Sequence, residues 1–214
     1  MPAGLNNVSA IAAGLNHSLA LKGDGSVVGW GTNYFGEATV PAGLGRVIGI
    51  AAGAGYSMVL RSDGIVVAWG QNNAGQTNVP ADLSNVVAIA AGYWHALALT
   101  KDGRTIAWGD AGSGEAIPPG SITNVVAVAA GEYHGLALQN DGTVLAWGRN
   151  NYGQLNVPLG LSGVLALAAG DYHSLALKSD GTVVAWGSNF NGESTVPDGL
   201  LRSHLVRLHT WKAV

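Results

Sequence analysis

Residues 168–187 read Ala168-Ala169-Gly170-Asp171-Tyr172-His173-Ser174-Leu175-Ala176-Leu177-Lys178-Ser179-Asp180-Gly181-Thr182-Val183-Val184-Ala185-Trp186-Gly187. A run of alternating residues and a β-branched run flank Asp180-Gly181. That pattern predicts an antiparallel hairpin on a two-residue turn of type I′. The same pattern stands 39 residues earlier, and again back to the first unit. Its Ala-Ala-Gly glycines are Gly14, Gly53, Gly92, Gly131 and Gly170, and its turn aspartates are Asp24, Asp63, Asp102, Asp141 and Asp180. Trp30, Trp69, Trp108, Trp147 and Trp186 keep the same step, as do Pro2, Pro41, Pro80, Pro119, Pro158 and Pro197. Five units follow one another without insertion or deletion.

The repeat explains the composition. Twenty of the 33 glycines fall in the Gly14, Gly25, Gly31 and Gly36 classes, where a turn or a close backbone approach excludes a side chain. Each unit reads as three strands, with a fourth short edge strand at Ala38-Thr39-Val40-Pro41. No segment keeps a 3.6-residue period. A small meander cannot bury both its faces alone, so neighbours must stack. The expected fold is all-β, a β-propeller of five short 39-residue antiparallel blades over residues 1–200. Residues 201–214 leave the pattern and hold Arg202, Arg207 and Lys212. The repeated part is therefore acidic and this tail basic, within a net charge of −3.

Composition also excludes functions. Net negative charge argues against a nucleic-acid surface, and no apolar run is long enough to span a membrane. With no cysteine there are no disulfides, thiolate metal sites or cysteine nucleophiles. Met1-Pro2-Ala3-Gly4-Leu5 lacks the basic and apolar regions of a signal peptide, and the compartment stays open. His17, His95, His134 and His173 share one position, which Tyr56 takes in the second unit. This reads as structural hydrogen bonding, with no metal and no cofactor expected. No unit carries the unrepeated cluster of polar groups that catalysis needs, so the chain is expected not to be an enzyme.

A meander also decides which loops share a face. The Gly14-class loops and the loops after Gly31 lie on top, and the Asp-Gly turns lie below, where their repetition predicts an acidic underside. Of 15 aromatic residues, five are the repeated tryptophans and one is Trp211, and the other nine all fall in the top loops. They are Tyr56, Tyr93, Trp94, Tyr133 and Tyr172 in the first loop, and Tyr34, Phe35, Tyr152 and Phe190 in the second. Rings gathered on one face are the usual anchors of a protein interface. The alternative is that they pack on one another to cover the blade tops.

The unit from Ala168 to Gly187 resembles the regulator of chromosome condensation repeat family. The short unit and its Thr-Val-Pro ending are most similar to the propeller-type β-lactamase inhibitors of bacteria, which are often secreted. The resemblance implies a ring that usually has seven blades. Five units then leave three forms open: an open arc, part of a larger ring, or a closed five-blade ring. An arc would expose an apolar blade face at each end and invite self-association. The resemblance also implies a non-enzymatic binding module with a protein partner on the aromatic face. In the inhibitors the aromatic residue just before the histidine position faces the partner. Trp94, Tyr133 and Tyr172 match it, and Asn16 and Gly55 do not. A carbohydrate-binding propeller and a regulator like a guanine nucleotide exchange factor are the alternatives.

Overall fold

The computed structural model describes Pro2, residues 4–120 and residues 122–197. The segment 201–214, expected to break the repeat, lies outside the described residues. Blade 1 comprises β1 (Val8–Ala13), β2 (His17–Lys22) and β3 (Val27–Gly31). Blade 2 comprises β4 (Val47–Ala52), β5 (Tyr56–Arg61) and β6 (Val66–Gly70). Blade 3 comprises β7 (Val86–Ala91), β8 (His95–Thr100) and β9 (Thr105–Gly109). Blade 4 comprises β10 (Val125–Ala130), β11 (His134–Gln139) and β12 (Val144–Gly148). Blade 5 comprises β13 (Val164–Ala169), β14 (His173–Lys178) and β15 (Val183–Gly187). Each blade is a three-stranded antiparallel meander, and all five share one register, down to a bulge near the start of the inner strand.

Two local expectations are corrected. Lys22 N–H donates to the Ser26 carbonyl, and Gly25 N–H donates to the Lys22 carbonyl, both at 2.9 Å. The hairpin loop is thus the three residues Gly23-Asp24-Gly25, not a two-residue type I′ turn. Type I′ needs positive φ at two positions, and here only Gly25 has it, at 86°. A type I turn closed by a glycine bulge meets the same strand twist with one left-handed residue. The second correction concerns Ala38–Pro41, which forms a turn and joins no sheet. Thr39 N–H donates back to the Gly36 carbonyl, and Ala38 N–H goes to the Asn33 side chain.

The core lies between blades, with one apolar cluster at each junction. The middle strands of blades 2–4 are buried almost throughout. Leu97, for example, is fully covered, and burial of such a side chain contributes roughly 1.5–3 kcal/mol. The repeated tryptophans add a polar link. Trp69, Trp108, Trp147 and Trp186 each donate the indole N–H to a main-chain carbonyl of the preceding unit, that of Glu37, Gln76, Glu115 and Gln154 respectively.

The histidine class sits at the same junctions. The rings of His17 and His134 pair through Nε2 with Ser57 and Ser174 of the next blade, at 2.9 and 3.0 Å. The second junction has Ala96 in place of the serine, and there Tyr56 reaches further and donates to the His95 carbonyl. Among the described residues no group of His, Asp or Glu side chains gathers as a metal-binding cluster.

Four junctions join the five blades, and among the described residues no comparable packing joins β14 to β1. The consequence is visible in burial. Val47, Val86, Val125 and Val164 are buried, whereas their counterpart Val8 is 41% exposed, and Ile11 is 70% exposed. The described blades form an arc with free end faces.

Candidate functional site

The upper loops are held in shape before any partner arrives. Glu37, Gln76, Glu115, Gln154 and Glu193 recur in steps of 39 residues, and the first four are buried. Each side chain accepts a main-chain N–H two residues back: Phe35, Ala74, Ser113, Tyr152 and Asn191, at 2.7–2.9 Å. Asn33, Asn72, Asn150 and Asn189 accept an N–H five residues ahead and close the same loop from its other side. The aromatic residues in between are therefore presented on a fixed backbone. Composition did not single out the Glu/Gln class, although its step of 39 residues was there to be found.

Glycine at the Gly14 class answers to packing. A Cβ on Gly92 would lie 2.2 Å from His95 Cε1 and 2.6 Å from the Gly131 carbonyl oxygen of the next blade. Only a bare backbone lets the inner top loops approach one another. These loops, with Tyr93, Glu132 and Asp171, line the upper mouth of a channel along the arc's axis.

The structure divides the nine rings into groups. Tyr93 stacks on Tyr133 at 6.1 Å, and Trp94 meets both edge-on, at 4.9 and 6.4 Å. Tyr152 contacts Tyr172 at 4.9 Å and Phe190 at 5.6 Å. The Glu132 carboxylate stands near both groups and raises the Tyr133 and Tyr172 phenols, Tyr133 chiefly by burial. Glu132, ahead of burial, pushes the Tyr172 phenol up to about 12. Tyr34 and Phe35 stand apart on blade 1, where the Phe35 ring lies beside the space that a Cβ on Gly55 would take. Tyr152 makes the equivalent approach to Tyr172, so one packing mode serves both blades. Tyr34 and Phe190 are 90% and 79% exposed.

One ring does not belong to this face. Tyr56 is fully buried in the junction of blades 2 and 3, because it occupies the histidine register at the start of the middle strand. Burial holds its phenol above the usual range. It cannot reach a partner and is withdrawn from the candidate surface.

The underside is not acidic as expected. Lys22, Arg61, Arg104 and Lys178 pair with Asp24, Asp63, Asp102 and Asp180 at 2.6–3.5 Å. Each aspartate also serves its turn. Hydrogen bonds from Ser26 and Thr182 bring Asp24 and Asp180 down to about 2. Among the described residues, Glu37, Asp110, Glu115, Glu132, Asp171 and Glu193 share the upper side with one cation, Arg149.

The regulator of chromosome condensation (RCC1) repeat model matches residues 8–37, 47–76, 86–115, 125–154 and 164–193, one stretch per blade. No curated protein matches the sequence. Among solved structures, Prp20p from Saccharomyces cerevisiae is 24% identical with a TM-score of 0.76, over 88% of this chain and 59% of that one. Human WBSCR16 is 23% identical with a TM-score of 0.71, over 84% of this chain and 61% of that one. The ectodomain of the receptor kinase CR4 from Physcomitrella patens is 27% identical with a TM-score of 0.66, over 85% of this chain and 50% of that one. This chain thus spans between half and two thirds of the length of these proteins.

Proposed function

The chain belongs to the regulator of chromosome condensation repeat family, and from that premise we propose that it is a non-enzymatic module holding a protein partner on the upper face of blades 3–5. One observation carries this reading. Trp94, Tyr133 and Tyr172 occupy a single position in three consecutive blades, where blades 1 and 2 fold with Asn16 and Gly55. The scaffold does not need rings there, and partly exposed aromatic residues on rigid loops make efficient anchors. A structure of Prp20p is described with binding to Gsp1p and histones, and another with Kap60, which supports a protein rather than a small ligand as the partner type. The resemblance to bacterial inhibitors makes a β-lactamase-like enzyme one partner to try.

The test is capture of partners from lysate by the intact chain, together with inhibition assays on a β-lactamase panel. Each binder is then tried against a chain carrying Trp94→Ala, Tyr133→Ala and Tyr172→Ala. Loss of binding is expected. A partner that binds this variant as well as the parent removes the upper face as the site. A sugar found in place of a protein supports a lectin instead.

The free end faces support self-association as a second property. Among the described residues, Ile11 and Val8 at one end and Leu175 and Leu177 at the other lack the neighbour that covers their counterparts. Light scattering should show mass rising with concentration, and a monomer at every concentration would contradict this.

A further inference from the structure

The rings that favour a protein partner share their surface with carboxylates, and the two together select its chemistry. We propose that the upper face of blades 3–5 takes a cationic protein segment, an arginine or lysine side chain lying over the tyrosine rings with Glu132 and Asp171 as counter-charges. This rests on the protein-binding reading above and deepens it.

Three observations carry it. Charge is segregated by side: four of the five turn aspartates below have a cation beside them, whereas Glu132 and Asp171 stand at the mouth of the axial channel with no lysine or arginine in its lining. Rings and carboxylates also coincide. The loop with Glu132 carries Tyr133 and the loop with Asp171 carries Tyr172, while the same loops of blades 1 and 2 have Leu15-Asn16 and Ala54-Gly55, without charge or ring. Neither feature is required by the scaffold. Finally, the face already accepts one cation of its own. The Arg149 guanidinium lies 5.3 Å from the centre of the Tyr133 ring. A guanidinium on an aromatic face is attracted by the ring quadrupole, and a nearby carboxylate adds to that attraction. Tyr172 offers a second such ring beside Glu132 and Asp171, and Arg149 lies on the other one.

The probe is a short synthetic peptide of alternating arginine and serine, with its glutamate counterpart as control, titrated calorimetrically into the full chain. The arginine peptide should bind and the glutamate peptide should not. Affinity should fall about tenfold between low and moderately high salt, because the attraction is screened. Glu132→Gln with Asp171→Asn should weaken binding about tenfold or more. If that double variant fails to fold, Asp171→Asn alone carries the test, since Asp171 is exposed. Equal binding of both peptides, binding of neither, or unchanged binding by the carboxamide variant overturns the proposal. A captured protein that depends on Trp94, Tyr133 and Tyr172 but ignores salt and the carboxamides sinks the cation reading alone. One that ignores the three rings as well sinks both readings.

Discussion

On the underside every blade turns on Asp-Gly, and four of the five aspartates have a cation two residues away. On the upper side the loop position just before the middle strand reads Asn16, Gly55, Trp94, Tyr133 and Tyr172. Both regions are loops at the ends of the same strands. The underside repeats because each turn must meet the next blade: Val47, Val86 and Val125 donate their N–H to the carbonyls of Gly25, Gly64 and Gly103. The upper position varies because its side chain leaves the surface, while the loop backbone is held by other groups. The comparison teaches that repetition in this chain marks contact between blades, and its absence marks surface available for recognition.

The strongest way to break that comparison is to alter a repeated position at the top. Gly92→Ala places a methyl group against both His95 and the Gly131 carbonyl, neither of which can yield. A loss of about 3 kcal/mol or more is expected, read from urea midpoints. Unchanged stability would mean that the inner loops do not approach as described.

Acid should strain the same junctions. Burial brings His95 and His134 down to about 4, so both are neutral in the folded chain at neutral pH. The unfolded chain binds protons near pH 6.5 and the folded chain does not. Stability is therefore complete above that pH and is lost as pH falls toward 4, by up to about 3 kcal/mol per histidine. Glu115, raised by burial, opposes this near its own titration. Urea midpoints at pH 7 and pH 5 should differ in this sense, and equal midpoints would place the histidines in solvent.

A smaller effect is expected at the underside. Gly103 has φ of 78°, and a Cβ there would stand 3.2 Å from the backbone of Asn124 and Val125. Gly103→Val should cost about 1–3 kcal/mol, again by denaturant midpoint. No change would show that the turn adapts freely.

Much of this was legible in the sequence, for the reason that the comparison gives. A contact between blades must recur at the period of the blade, so strands, tryptophans and turn glycines announce themselves. The size of the hairpin loop did not, because Asp-Gly serves both a two-residue turn and a three-residue loop with a glycine bulge. The edge strand at Ala38–Pro41 had strand-like residues, but the Asn33 side chain takes the N–H that a ladder would need. Tyr56 was counted with the exposed rings although it stands in the histidine register, and register decides burial where a middle strand begins. The neutral underside was readable from Lys22 and Arg61, each two residues before an aspartate. The upper site was legible only as a list of rings. Which of them meet, and that Glu132 stands near Tyr133 and Tyr172, depends on bringing loops 39 residues apart onto neighbouring blades.

The most direct test of the central claim reads stability and binding on one sample. A chain with Trp94→Ala, Tyr133→Ala and Tyr172→Ala is compared with the parent, and a chain with Asp63 and Asp141 changed to lysine is the underside control. If the upper face recognises and the repeated frame holds, the aromatic variant keeps its denaturant midpoint to within about 1 kcal/mol. The same variant loses partner affinity by about 2 kcal/mol or more per anchor, and the control binds normally. A variant that unfolds would show the rings to be packing, and one that keeps full affinity would place recognition elsewhere.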